Sequence, residues 1–177
     1  MFELVNSEEQ QKIFNGIWEE VWKEKGYELE YSSETIAQLL LKVQNQYVAT
    51  IEFKKLSSST ICSTFDFKAF PFIEKNFDHG VEIDKISIAK EYRGFEVLNA
   101  IISAMGHFAK DTGLLYYVAL IEPRFYLTLR KHYKINVEKL GPPFFYKGDT
   151  VVPIFFTSEE IQKNKNQYSR FLEKVQL

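Results

Sequence analysis

The stretch Glu82-Ile83-Asp84-Lys85-Ile86-Ser87-Ile88-Ala89-Lys90-Glu91-Tyr92-Arg93-Gly94, entered from Val81, decides how the rest of the chain is read. Val81 and Ile83 share one parity, whereas Ile86 and Ile88 share the other. Successive side chains of a strand point to opposite faces, so a strand buried on one face cannot change parity without an extra residue. A β-bulge near Asp84-Lys85 meets that requirement, and burial of both faces meets it equally well. After Gly94, Val97, Leu98, Ile101, Ile102, Met105, Phe108 and Ala109 recur at helical spacing, and Gly113 ends the pattern. Residues 114–121 are then almost wholly apolar, as in an interior strand covered on both faces. Strand, helix and strand in this order predict a right-handed βαβ unit with parallel strands.

Upstream, the spacing predicts a helix over 7–25, with Ser7 and Gln10 as a capping box and Gly26 as its stop. Ile13, Phe14, Ile17, Trp18, Val21 and Trp22 form one broad apolar face on it. Two strands follow over 35–43 and 47–56, joined through Asn45-Gln46. In the second, Tyr47, Ala49, Ile51 and Phe53 alternate with more polar neighbours, the pattern of a half-buried strand. Serines 57–59 break the pattern, and the aromatic segment 62–76, containing Pro71, reads as irregular or partly helical. Downstream, a helix over 124–133 follows Pro123, and a strand over 150–156 leads into a helix capped by Thr157 with Glu160. The expected class is α/β (α+β), a mixed sheet with helices on both faces, in one domain over 1–177.

The chain of 177 residues is long enough to bury a core, and 45% hydrophobic with 26% charged residues is ordinary for a globular protein. Aromatic content, 16%, is the unusual term; the 16 Phe and 10 Tyr can fill the core or line an apolar tunnel. A net charge of −2 without a basic run argues against a nucleic-acid partner. The single Cys62 cannot form an internal disulfide and suits a reducing compartment. No apolar stretch approaches the length of a membrane span, and the acidic N-terminus does not resemble a signal peptide, so a cytoplasmic protein is expected. His79, His107 and His132 lack ligand spacing, so no metal is expected; Cys62 reads as a buried or incidental thiol. No Walker loop, G-x-S-x-G elbow or dinucleotide fingerprint is present.

What remains is the turn around Arg93 to Leu98. Backbone N–H groups at a helix start are unpaired and point outward, ready for phosphate, and Arg93 adds charge. A plain strand–helix connection would read the same. The stretch 82–94, the amphipathic helix and the apolar strand together resemble the core of GNAT acyltransferases, over about residues 40–156. That resemblance implies a mainly antiparallel sheet with a central parallel pair and a bulged strand. It also implies that the loop Arg93, Gly94, Phe95, Glu96 and Val97 holds the pyrophosphate of coenzyme A. The family loop reads R-x-x-G-x-G or A; Gly94 matches its R-G variant, while Glu96 and Leu98 stand at the small-residue positions. A carboxylate at Glu96 is unfavourable beside a diphosphate unless it points away.

A closer resemblance runs to the autoinducer-synthase and N-acyl amino acid synthase branch. Glu82 and Lys85 match its Glu-x-x-Arg/Lys pair. Leu140-Gly141-Pro142-Pro143, Tyr146-Lys147-Gly148 and Val152-Pro153-Ile154 look like its late Leu-Gly, aromatic-Gly turn and Pro-containing strand. No arginine precedes Arg93, whereas autoinducer synthases carry essential ones in their N-terminal third, so homoserine-lactone synthesis does not carry over. The resemblance implies an acyl-CoA or acyl-carrier phosphopantetheine donor, with an acyl carrier protein as a candidate partner, and a small-molecule amine acceptor; a homodimer is compatible.

Direct attack of an amine on a thioester needs a base, a dipole for the oxyanion and an acid for the thiolate. Glu82 is the candidate base, directly or through water, an ion pair with Lys85 or Lys90 being the plainer role. Backbone N–H groups of Ile86, Ser87 and Ile88, freed by a bulge, would polarise the carbonyl. Tyr126 and Tyr133 lie near the family's thiol-protonating Tyr, and core packing accounts for them as well. Lys85 and Arg124 are candidate substrate-binding cations, a surface salt bridge being the alternative for Arg124. Two other readings stand beside this one. A GNAT-like module could bind an acyl ligand or a protein without catalysis, and an ordinary acetyltransferase would have its tunnel plugged by Phe or Tyr.

Overall fold

The computed structural model describes residues 1–32, 35–56 and 64–163, which leaves Cys62 and serines 57–59 outside it. The chain enters through β1 (Phe2–Leu4) and α1 (Glu8–Lys25). Ser7 Oγ accepts the Gln10 N–H at 3.2 Å, and the Gln10 side chain accepts the Asn6 N–H at 3.0 Å. The reciprocal cap is therefore closed one residue before the N-cap position. Gly26, at φ 77°, ends α1 in the left-handed region that suits glycine. Glu8 and Glu9 at the start, with Lys23 and Lys25 at the end, suit the helix dipole.

β2 (Thr35–Val43) and β3 (Gln46–Lys55) form a hairpin turning on Gln44 and Asn45, both at positive φ. The turn lies one residue earlier than the sequence pattern places it, because both central residues must be left-handed in such two-residue loops. β3 also departs from a half-buried strand: Val48 through Lys54 are all buried, polar residues included. After the short α2 (Pro71–Lys75), β4 (Gly80–Ile88) pairs with β3 and carries the bulge. Ser87 lies opposite Thr50 and Asp84 opposite Glu52, so Lys85 and Ile86 together face the single residue Ile51. Lys85 takes φ 46° to make room, and this resolves the parity change as a bulge.

α3 (Phe95–Thr112) leads to β5 (Tyr116–Ile121), which runs parallel to β4. α4 (Pro123–Lys131) ends two residues short of the expected bound; β6 (Glu138–Lys139), β7 (Phe144–Tyr146), β8 (Asp149–Thr157) and α5 (Ser158–Lys163) complete the order. Glu160 accepts the Asn136 N–H at 3.1 Å and pairs with Lys163, tying α5 to the segment before β6. The eight-stranded sheet runs β1-β2-β3-β4-β5-β8-β6, with β7 paired to β8; every pairing but β4–β5 is antiparallel.

Alternation along the strands separates two cores. Tyr117 and Ala119 of β5, with Val152 and Ile154 of β8, pack against α3, α4 and α5. Tyr116 and Val118 face the opposite way, against Phe67 and Ile73. Phe14 and Trp18 of α1 bury Leu40 on that second side. Burying one such large side chain contributes roughly 1.5–3 kcal/mol. Helices thus cover both faces. Among the described residues, no helix is long and apolar enough to cross a membrane.

Candidate active site

β4 and β5 stay paired only from Gly80 to Glu82 against Tyr116 to Val118. Beyond that point no ladder joins them, and a cleft of about 370 Å3 opens, within the usual range of small-molecule sites. Its walls are Glu82 to Ile86 and Ile88 of β4, Leu120 and Ile121 of β5, and Val21, Trp22 and Lys25 of α1, with Tyr146 and Lys147 across from them. The last two are set by the β7–β8 turn, where Lys147 and Gly148 take φ 48° and 98°. The Glu28 N–H donates to the Lys147 carbonyl at 3.2 Å, fixing the turn to the end of α1.

Below the cleft lies a charged group with little access to water. Glu52, Lys54, Glu82 and Lys85 are 0, 6, 6 and 3% exposed. Glu52 accepts from Ser32, Thr35 and Gln38 at 2.7–2.8 Å and pairs with Lys85, whose ammonium also lies over the Trp18 ring. Asp84 pairs with Lys85 at 3.3 Å and with Lys54 at 3.4 Å. Burial works against its ionisation, but the two ammoniums and the Lys85 N–H prevail and hold it below the ordinary carboxylate range. Glu82 receives Lys54 on Oε1 at 3.3 Å, while Oε2 has no hydrogen-bond partner among the described residues. Burial, then the Asp84 charge, push Glu82 up to about 7 against the pull of Lys54 and Lys85. A buried carboxylate with one free oxygen, set near neutrality, can take and release a proton.

Among the residues singled out from sequence, Glu82, Lys85, Ile86, Ile88 and Arg93 share this cleft. Ser87 is buried and does not line it. Lys85 is engaged internally by Glu52 and Asp84, and Glu82 pairs with Lys54; Lys90 pairs instead with Glu24 at 3.9 Å. Gly94 starts α3 without a side-chain cap. Phe95 is exposed and stacks on His132 at 4.1 Å; Glu96 is exposed too, and Val97 enters the core. Arg93 forks onto Glu24 at 2.6 and 3.2 Å, so its charge already has a partner. Tyr126 accepts from Arg130 at 3.0 Å and Tyr133 donates to Asn99 at 2.7 Å; neither lines the cleft, nor does the exposed Arg124.

The cleft tyrosines are Tyr27 and Tyr146. The Tyr27 hydroxyl donates to Glu122 at 2.5 Å, with Asp149 3.2 Å away. Burial, opposed by a Thr64 hydrogen bond and aided by the Glu82 and Asp84 charges, raises the Tyr146 hydroxyl above its ordinary value. Burial likewise lowers Lys147 to about 8. Sequence reasoning did not single out Glu52 or Lys54, nor the place of Tyr146 and Lys147 on the cleft wall. Glu52 and Lys54 stand at the polar positions of the alternating strand β3, where no local signal sets them apart.

A parallel pair that parts, a bulge beside the opening and helices on both faces define a GNAT-like fold. No protein-family model matches the chain, and no curated protein matches it. Solved structures do match it. FeeM, an N-acyl amino acid synthase from uncultured soil microbes, superposes with a TM-score of 0.72 at 10% identity, covering 93% of both chains. BjaI, a CoA-dependent acyl-homoserine lactone synthase with SAM and isopentyl-CoA, gives 0.66 at 14% identity over 89% of this chain and 79% of its own. The acyl-homoserine lactone synthase LasI gives 0.63 at 14% identity over 89% of each chain. At such identities the shared property is the fold.

Proposed function

We propose that the protein is an acyltransferase that moves an acyl group from a thioester donor to the amine of a small molecule. The observation that carries this reading is Glu82, a buried carboxylate with one oxygen unpartnered among the described residues, where β4 parts from β5. The names of FeeM and BjaI, which speak of N-acyl amino acid and acyl-homoserine lactone synthesis, support it. The donor is an acyl-CoA or a carrier-bound phosphopantetheine thioester. Its phosphate would lie at the start of α3, where N–H groups point outward beside Arg93. The thioester carbonyl would accept from β4 N–H groups that the bulge releases.

In this mechanism Glu82 takes one proton from the acceptor ammonium, directly or through a water. The amine nitrogen then bonds the carbonyl carbon, and the carbon–sulfur electron pair leaves on sulfur. Tyr146, rather than Tyr126 or Tyr133, gives its hydroxyl proton to that thiolate and is reprotonated by the nitrogen as the amide forms. Glu82 returns its proton to solvent.

The test is thiol release from acetyl-CoA, long-chain acyl-CoA and an acyl-carrier donor, each with a panel of small amines. Glu82→Gln should lower kcat about 10^2–10^4-fold, as expected for a general base, while donor binding read by thermal shift persists. Full turnover in that variant removes Glu82 from the chemistry. A second reading, a non-catalytic module that binds an acyl ligand, is favoured by Glu24 already occupying Arg93. It expects a thermal shift without thiol release.

A further inference from the structure

Lys54 sits on β3 opposite Glu82 and is buried, although a lysine is almost never fully buried unless its charge is answered. Its ammonium reaches two carboxylates, Glu82 Oε1 at 3.3 Å and Asp84 Oδ2 at 3.4 Å. Occupying Oε1 leaves Oε2 as the oxygen without a partner among the described residues, on a residue that lines the cleft. The charged and titratable groups around Glu82 are Lys54 and Glu52 from β3, Asp84 and Lys85 from β4, and Tyr146 from β7. β5 presents Val118 opposite it. Farther along the walls stand Lys25, paired with Glu122, Arg93, paired with Glu24, and Lys147, paired with Glu30. Three buried or half-buried carboxylates therefore share two ammoniums. Lys85 is drawn to Glu52 and Asp84, which leaves Lys54 as the cation that holds Glu82.

We propose that Lys54 is a positioning residue for the base: it clamps one oxygen of Glu82, leaves the other for the amine, and with Asp84 decides whether that carboxylate is charged. The proposal rests on reading Glu82 as the base. An opposite charge within hydrogen-bond reach favours ionisation of a carboxylate, and a like charge beside it does the reverse. Lys54 and Asp84 therefore act on Glu82 with opposite signs. In a site this dry neither is screened as a surface pair would be.

The experiment compares Lys54→Met, Lys54→Arg and Asp84→Asn with the unaltered protein. One readout is the Glu82 titration midpoint from 13C-labelled glutamate, assigned as the resonance lost in Glu82→Gln. The other is the pH profile of kcat/KM for thiol release. In Lys54→Met the midpoint should rise by about one pH unit or more, and the acid limb of the profile should follow it. At pH 7, kcat/KM then falls about fivefold or more and recovers toward pH 9. Asp84→Asn should move midpoint and limb downward, and Lys54→Arg should restore both. If Lys54→Met does not fold, Asp84→Asn and Lys54→Arg carry the same comparison. An unmoved Glu82 midpoint in folded Lys54→Met or Asp84→Asn overturns the clamp. Retained turnover in Glu82→Gln instead overturns the base reading, while the midpoints still report on the clamp by themselves.

Discussion

Glu82 keeps its proton over a pH range in which most carboxylates have lost theirs, because burial and Asp84 outweigh Lys54. Its folded-state value of about 7 lies above the ordinary 4.5, so the folded protein binds more protons than the unfolded chain between those values. Stability from this group is therefore present below about pH 4.5 and is lost as pH rises through 7. Glu82→Gln removes the penalty: at pH 8.5 the variant should be more stable than the parent, by on the order of 1–3 kcal/mol. At about pH 4, where the group is mostly protonated in both states, the two should melt together. Thermal denaturation at both pH values checks this, and an equal difference at the two would sink it. At this scale the sequence was partly readable. Glu82 was singled out because Glu82 and Lys85 resemble the Glu-x-x-Arg/Lys pair of the synthase branch, but Glu52 and Lys54 occupy the polar positions of an alternating strand. Nothing local reveals that α1 and the chain near Ser32 cover that face.

β4 begins at Gly80, where a methyl group would stand 2.1 Å from Cζ of Tyr116, a fully buried ring on the neighbouring strand. That ring is held by Phe72 and Phe155, with centroids at 5.7 and 5.5 Å, so it has little room to yield. Gly80→Ala should therefore destabilise the protein by about 1–3 kcal/mol, as overpacking does. A urea midpoint equal to that of the parent would show that the ring gives way freely. Elements with their own end signals were legible: Ser7 and Gly26 bound α1, while the parity switch in β4 allowed a bulge or burial of both faces, and only the register decided between them. β6 and β7 were not, since strands of two and three residues are too short to show a period. The place of Tyr126 and Tyr133, outside the cleft wall, was not legible for a related reason. Tyr126 and Tyr133 are aimed by the packing of α4 and the chain after it, which spacing does not encode.

Across the molecule, the cations on the cleft wall already have acidic partners: Arg93 has Glu24, Lys25 has Glu122, and Lys147 has Glu30. In the proposed reaction a donor phosphate at Arg93 would compete with Glu24. Glu24→Gln should tighten donor binding a few-fold, and Arg93→Gln should weaken it, both read from the ligand dependence of Tm. Unchanged affinity in the two variants would take Arg93 out of donor recognition. Where β4 leaves β5, the sheet carries in its middle a row of backbone groups that elsewhere occurs only at a rim. At a rim such a row invites a strand from another molecule and must be guarded by charges or prolines. Here α1 and the β7–β8 turn stand over it. A slender ligand can still reach those groups, but a foreign strand cannot lie along them. The split thus offers the hydrogen-bonding capacity of an open edge at a place where the fold itself keeps a second molecule's strand away.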